Sequence, residues 1–443
     1  MKNILLVHPE GNINNNPNLF AIVELLCDDG YHVDLFVKRN PIIDQNSYIK
    51  NLQILFLDDE NINDVERLDK KNYSLIIGID TGIVIAAKIA RKLNIPYCYI
   101  SYEIMFADEI GKEKKNDEIA ACKSISFAIC QDPVRSYFLS IENNISINKI
   151  FNIPVTGNYK KKYPKSGFLY EHLKIPKDKK IALFAGSISK WSMIGDIVKQ
   201  TDSWPKNWVL VLHDRYGSNL GFLSSLIKNR PQIYISGRPL KTPDDLEKLI
   251  CSADVGIGLY QSNFKSANEG KNLAFVGLSS GKLITYLKFA VPVITNEIGQ
   301  LSDIIRDKKL GQVVTNVSEI NPVEIEKIQN CRNNCAEYFK ENLDFKQKAN
   351  QLLELVSDSI KENIDSNKIV AFNNESKFHY SLSHTKQIEY YFNLARDIKN
   401  SKYYRLGYIL CNPHLFIWNN KVTRFSRSVV KNFVTRKKET KYE

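Results

Sequence analysis

The stretch Gly277-Leu-Ser-Ser-Gly-Lys-Leu-Ile-Thr-Tyr-Leu-Lys-Phe-Ala-Val-Pro-Val-Ile-Thr295 sets two serines, a glycine and a lysine in front of an apolar run that ends at a proline. Upstream, Val255 to Leu259 is a short strand candidate that runs out into a loop; downstream, Val291-Pro-Val-Ile-Thr295 is another. Ser279-Ser280-Gly281-Lys282 therefore introduces a helix between two strands. A helix start offers unpaired N–H groups and a partial positive charge, and serine hydroxyls, an approachable glycine backbone and a lysine add to both. A diphosphate fits such a site. The same residues taken alone also describe an ordinary serine cap with a solvated lysine.

The alternation of strand and helix extends in both directions. Before this stretch stand Ile181-Ala-Leu-Phe-Ala-Gly186, Trp208-Val-Leu-Val-Leu-His213 and Gln232-Ile-Tyr-Ile-Ser-Gly237, with an apolar helix over Thr242 to Cys251. The N-terminal part reads Asn3 to His8 as strand, Leu19 to Leu26 as helix and Tyr31 to Val37 as strand. Strand candidates at Leu52 to Leu57, Leu75 to Ile79, Tyr97 to Ile100 and Ile125 to Ile129 follow, with helices over Thr81 to Leu93 and Asp132 to Leu139. Alternation of this kind argues parallel sheets covered on both faces. The Gly, Asn, Tyr, Lys and Pro composition of Pro154 to Lys165 marks a linker.

The expected organisation is an α/β protein with a Rossmann-like domain over 1–160 and a second over 161–325. Helices over 326–375, clearest at Asp344 to Glu362, cross back to the first domain, and a basic aromatic tail fills 376–443, with a helix starting near Ser383. A chain of 443 residues with 43% hydrophobic content suits two cores. No apolar run reaches the roughly 20 residues of a membrane span, and Ile4 to Val7 is too short for a secretory signal, so a cytoplasmic protein is expected. The eight cysteines form no CxxC pair, and Cys331 and Cys335 lack nearby histidines, which points to reduced structural thiols and no metal. From Ile398 onward eleven Lys/Arg stand against two Glu, so the tail carries +9 of the formal +12.

Order and spacing together carry a resemblance. Ile235-Ser-Gly-Arg238, Leu246 to Leu249, Ser252-Ala-Asp-Val-Gly-Ile-Gly-Leu-Tyr260, the stretch opened above, Gly299-Gln-Leu-Ser-Asp-Ile-Ile305 and Leu310-Gly-Gln-Val-Val314 resemble the donor-binding half of GT-B glycosyltransferases similar to family 4, the group 1 enzymes of bacterial polysaccharide assembly. Gln131-Asp-Pro-Val-Arg135 and Pro154-Val-Thr-Gly-Asn158 are similar to the end of that family's first domain, and the resemblance spans roughly residues 1–360. It implies the GT-B fold, with a nucleotide-diphosphate sugar as co-substrate on the second domain and no cofactor. The diphosphate would be neutralised by basic side chains and a helix start instead of a metal. Ser279, Ser280, Gly281 and Lys282 fall where the family holds the diphosphate, and Gly186, Ser187 and Lys190 where its loop approaches the donor. Arg238 falls where the base-binding loop begins, and Tyr260 at a strand exit. Many retaining members carry two glutamates eight positions apart; here those places are Gly277 and Thr285, and Thr285 offers one hydroxyl contact.

The first domain is expected to bind the acceptor, and an inverting enzyme would need a base there for the acceptor's hydroxyl proton; the absent glutamate pair leaves retaining and inverting outcomes both open. Glu103, in Ile100-Ser-Tyr-Glu-Ile-Met-Phe106, follows a strand and sits beside aromatic residues that would raise its pKa, which makes it the first candidate. His8, at the end of the first strand, is the second; Asp108 and Glu109 read as solvated. The tail from Lys399 resembles the Ser-x-x-Tyr-Arg-Leu-Gly tails of bacterial surface-polysaccharide enzymes. Beyond it, Val422, Phe425, Val429 and Phe433 share one helical face, with Arg424, Arg427 and Lys431 opposite, a pattern suited to an anionic membrane surface. The alternative is a helix packed on the first domain. No nucleic-acid module accompanies the charge.

The expected activity is metal-independent transfer of a hexosyl group from a nucleotide sugar to a lipid-linked glycan, in polysaccharide or lipopolysaccharide assembly on the inner face of the plasma membrane. A nucleotide-sugar epimerase on the same fold and a non-catalytic GT-B-like binding protein are the alternatives.

Overall fold

The computed structural model describes residues 2–374 except 10–12, 14–15, 39–48, 58–71, 160–162, 215–219, 238–239, 241–242 and 263–268. Arg238, the helix expected near Ser383, and the tail with Arg424, Phe425, Arg427, Lys431 and Phe433 lie outside the described residues.

Two parallel sheets follow one another along the chain. The first comprises β1 (Asn3–Val7), β2 (His32–Lys38), β3 (Leu52–Leu57), β4 (Tyr73–Ile79), β5 (Tyr97–Ile100), β6 (Ala128–Cys130) and β7 (Ile150–Asn152). Their spatial order is β3-β2-β1-β4-β5-β6-β7. The second comprises β8 (Lys180–Gly186), β9 (Trp208–Asp214), β10 (Ile233–Ser236), β11 (Val255–Ile257), β12 (Val293–Asn296) and β13 (Gly311–Val314), in the order β10-β9-β8-β11-β12-β13. In each, the order reverses beside the first strand, the arrangement that leaves a crevice at the C-terminal strand ends. Strands covered on both faces become continuous apolar runs. Ile4, Leu5, Leu6 and Val7 of β1 are accordingly all fully buried, and β9 is buried along its whole length.

Helix starts follow local chemistry. The Asn16 side chain caps α1 (Pro17–Asp28) by accepting from the N–H groups of Asn18 and Leu19, both at 3.1 Å. Pro17 fits the first turn, where no N–H partner is needed. Helix α2 (Gly82–Leu93) connects β4 to β5, and Asp132 caps α3 (Pro133–Asn143) in the same way, with Pro133 behind it. Helix α4 (Gly281–Lys288) is the one the Ser-Ser-Gly-Lys sequence opens.

After a π-helical turn at Phe339–Leu343, α5 (Lys346–Ile360) leaves the second sheet and inserts Leu352, Leu355 and Val356 into the core built around β1, β2 and β4. Helix α6 (Ser366–Asn374) then closes the free edge of β7. The Asn373 amide donates to the Ile150 carbonyl at 2.7 Å and accepts from the Asn152 N–H at 3.0 Å, supplying the partner an edge strand lacks.

Two local differences from the sequence expectation have physical causes. The strand expected over Ile125 to Ile129 forms at β6, three residues later; Ile125 and Phe127 are buried in the approach, where the Ser126 N–H already reaches the Tyr97 carbonyl at 2.9 Å and the Phe127 carbonyl accepts from the Tyr99 N–H at 3.1 Å. Strands β7 and β13 are short segments that period-two patterning does not mark. The seven described cysteines are free and buried, and burial pushes the thiols of Cys98, Cys122 and Cys130 up to about 12. Among the described residues no helix is long and apolar enough to cross a membrane.

Candidate active site

The crevice of the second sheet opens where β8 and β11 part. They pair only at Val255 with Ala182 and Gly256 with Leu183. Tyr286 of α4 fills the opening: its hydroxyl donates to the Leu183 carbonyl at 3.0 Å and accepts from the Ala185 N–H at 2.8 Å. This seat requires glycines. A Cβ on Gly256 would lie 2.4 Å from the Tyr286 ring, one on Gly258 2.7 Å from Leu283, and one on Gly186 2.7 Å from Lys282 Cε. The Lys282 chain thus crosses the strand ends between Gly186 and Gly258. Its ammonium stands 3.8 Å from the ring centre of Phe184, 5.5 Å from that of Tyr260 and 5.7 Å from that of Trp191, all within cation–π range. Trp191 and Tyr260 stack on each other, 5.9 Å apart and 10° from parallel.

Ser280 ties this corner together. Its hydroxyl oxygen accepts from the Leu283 N–H at 3.3 Å, which caps α4, and it shares a 2.6 Å hydrogen bond with the Tyr260 hydroxyl. The Tyr260 backbone is clasped on both sides by the Asn296 amide, at 2.9 and 2.8 Å. Burial pushes the Tyr260 phenol up to about 12, with Ser280 opposing. Ser279 and Gly281 are half-buried at the turn into the helix. The Thr285 hydroxyl donates to the Gly281 carbonyl at 2.6 Å. Half-buried Ser187 and exposed Lys190 lie on the loop after β8 that delivers Trp191. The structure therefore gathers Gly186, Tyr260, Ser280, Lys282 and the flanking loop residues at one strand edge.

Glu103 sits on the loop after β5. Asp80, in a left-handed conformation (φ 46°) after β4, accepts from the N–H groups of Tyr102 at 2.7 Å and Glu103 at 2.9 Å. The Glu103 side chain is exposed to solvent, yet protein surrounds it at longer range. This desolvation raises its carboxyl above the ordinary range, against the nearby Arg135 guanidinium. His8 is buried at the end of β1, and its backbone N–H reaches the Phe36 carbonyl at 2.9 Å.

The stretch 270–278 of the second domain docks on the first. Gly277 is left-handed (φ 44°), and a Cβ there would stand 2.5 Å from Asp132 Oδ2. That oxygen accepts from the Leu278 N–H at 3.0 Å, while Oδ1 accepts from Arg135 N–H at 2.9 Å. Where the resembling family carries its first glutamate, this chain has a tight turn pressed against a first-domain carboxylate. The sequence signal for the partner was Gln131-Asp-Pro-Val-Arg135, visible as the end of a domain but silent about what it grips. Asp80, Trp191, Asn272 and Tyr286 were likewise missed, because each acts through contacts far apart in the chain.

No family model matches the sequence, and no curated protein matches it. Solved structures do. Anabaena HepE in complex with UDP-glucose aligns with a TM-score of 0.63 at 12% identity, covering 81% of this chain and all (100%) of that one. WaaG, a glycosyltransferase involved in lipopolysaccharide biosynthesis, aligns at 0.54 and 12%, covering 79% of this chain and 99% of its own. A Listeria monocytogenes protein assigned as a UDP-N-acetylglucosamine 2-epimerase aligns at 0.54 and 11%, covering 83% and 98%. At such identities the likeness defines the fold: this is a GT-B protein, two Rossmann-like domains in one chain. Its structural neighbours thus include a glycosyltransferase, WaaG, and a protein solved with UDP-glucose bound, HepE.

Proposed function

We propose that the protein is a glycosyltransferase of the family 4 type, moving a sugar from a nucleotide-diphosphate donor on the second domain to a hydroxyl of a glycan on the first. The observation that carries this reading is Lys282, threaded between two glycines across the strand ends at the sheet's switch point. Crevices at this place in open α/β sheets are where ligands bind. Lys282, Lys190 and the first turn of α4 with Ser279, Ser280 and Gly281 meet the diphosphate charge. Gly186 and Ser187 let the donor approach, Thr285, whose hydroxyl donates to the Gly281 carbonyl, has its oxygen left to accept one contact, Tyr260 and Trp191 offer aromatic faces, and contact with the base is assigned to Arg238. The donor's diphosphate is neutralised by these groups, so transfer is expected to persist in chelator.

Glu103 is the base. It takes the proton of the acceptor hydroxyl as that oxygen bonds to the anomeric carbon, and the carbon–oxygen bond to the diphosphate breaks with its electron pair on the departing nucleotide. A carboxyl raised by its surroundings is better matched to proton transfer near neutral pH. His8 is the second candidate for the role. The acceptor is a lipid-linked glycan of cell-surface polysaccharide or lipopolysaccharide, met at the cytoplasmic face of the plasma membrane. The tail, with Arg424, Phe425, Arg427, Lys431 and Phe433, holds the enzyme there.

The test is nucleotide release from UDP-, GDP-, ADP- and CMP-sugars with and without lipid-linked glycan, for wild type and Glu103→Gln. Acceptor-dependent release that the variant loses while still binding donor supports the reading; normal turnover by the variant removes Glu103 from it. The similarity to an assigned epimerase makes that activity the second reading, and conversion of donor without any acceptor would establish it.

A further inference from the structure

We infer that Asn272, on the donor-binding domain, is a positioning residue for Glu103, so that the base is held in place only while the two domains are docked. The inference rests on Glu103 being the base. Asn272 is the second residue of a short helix, Lys271–Ala274, and is 3% exposed. Its amide grips the residue after Glu103 on both backbone groups. Oδ1 accepts from the Ile104 N–H at 3.0 Å, and Nδ2 donates to the Ile104 carbonyl at 2.7 Å. Oδ1 also accepts from Arg135 Nη2 at 3.2 Å. Two donors at the oxygen and an acceptor at the nitrogen fix the amide's orientation.

Arg135 completes the clamp. Its buried guanidinium donates from Nη2 to the Tyr102 carbonyl at 2.7 Å, from Nε to Gln131 at 2.8 Å and from Nη1 to the Phe275 carbonyl at 3.3 Å. With Asp80 on the N–H groups of Tyr102 and Glu103, the turn carrying the base is fixed on one side by its own domain and on the other by the donor domain. Of these groups Asn272 and Phe275 belong to the donor side, and Asn272 acts through its side chain, where Phe275 acts through its backbone carbonyl, so a substitution at Asn272 removes the donor-side grip on Ile104. The Ile104 N–H and carbonyl are left with no such partner once the amide is removed, and a buried unpaired backbone group is costly enough for the loop to shift. Displacing a reacting group by about 1 Å can cost 100-fold in rate.

The test is a double-mutant cycle between Asn272→Ala and Glu103→Gln in the full-length protein, with donor binding measured alongside. Asn272→Ala is expected to lower kcat by about 10- to 100-fold with donor Kd unchanged. It should add no further loss in the Glu103→Gln background, because it acts through the missing base. Asn272→Asp, which keeps the acceptor for Ile104 and Arg135 but loses the donor, should recover part of the rate and serves if the alanine variant fails to fold. Equal losses in both backgrounds, or a loss in donor affinity that matches the loss in rate, would overturn the inference while leaving Glu103 as base. Full activity of Glu103→Gln would instead remove the underlying assignment.

Discussion

Gly277→Ala probes the turn that replaces the expected glutamate. The residue has φ 44°, in the left-handed region, and its added Cβ would stand 2.5 Å from Asp132 Oδ2. An L side chain in that conformation costs roughly 1–2 kcal/mol relative to glycine. To relieve the contact Asp132 must withdraw, which breaks its 3.0 Å hydrogen bond to the Leu278 N–H. A hydrogen bond to a charged group contributes about 1.5–3 kcal/mol. Together the substitution should destabilise the protein by about 2.5–5 kcal/mol if the two costs add. Thermal melts of wild type, Gly277→Ala, Asp132→Ala and the double variant separate the terms. The double variant should be less damaged than the sum of the singles, because removing the carboxylate removes the clash. A Gly277→Ala protein within about 0.5 kcal/mol of wild type, the range of an ordinary surface substitution, would refute both the turn and its contact.

Two further outcomes follow from the same observations. Because its surroundings raise the folded-state pKa of Glu103, the group favours the folded state when protonated, and that contribution is lost as pH rises through the raised value. Glu103→Gln should therefore melt higher than wild type at pH 7, with the difference shrinking as pH falls below the ordinary carboxylate range; identical melting at both pH values would contradict the desolvated carboxyl. Truncation before Lys399 removes the +9 tail and should release the protein from anionic liposomes in co-sedimentation, with persistent binding counting against the tail as anchor.

Much of this architecture was legible because parallel strands buried on both faces announce themselves as apolar runs. Trp208 to His213 and Ile4 to Val7 are examples, and the order of segments from Ile235 to Val314 pointed to GT-B. The glycines were visible but their purpose was not. Gly256 exists for the Tyr286 ring and Gly186 for Lys282 Cε, contacts between residues 30 and 96 positions apart. Ser280 looked like a cap and is one, while its second bond to Tyr260 depends on where a strand exit comes to rest. The domain docking was illegible for the same reason. Asp132 and Arg135 read as a helix start, and nothing nearby in the chain indicates that they and Asn272 join the two domains. Glu103 could be singled out by its place after a strand, but the groups that hold its loop come from Asp80, Arg135 and Asn272.

The central claim is that the strand edge crossed by Lys282 seats a nucleotide diphosphate. Calorimetric titration of UDP, GDP, ADP and CMP into wild type and Lys282→Ala tests it most directly. One nucleoside diphosphate should bind wild type and lose about 10- to 100-fold in affinity in the variant, the equivalent of a charge-assisted contact of roughly 1.5–3 kcal/mol. Equal affinity for wild type and variant, from a variant that melts normally, would contradict the claim.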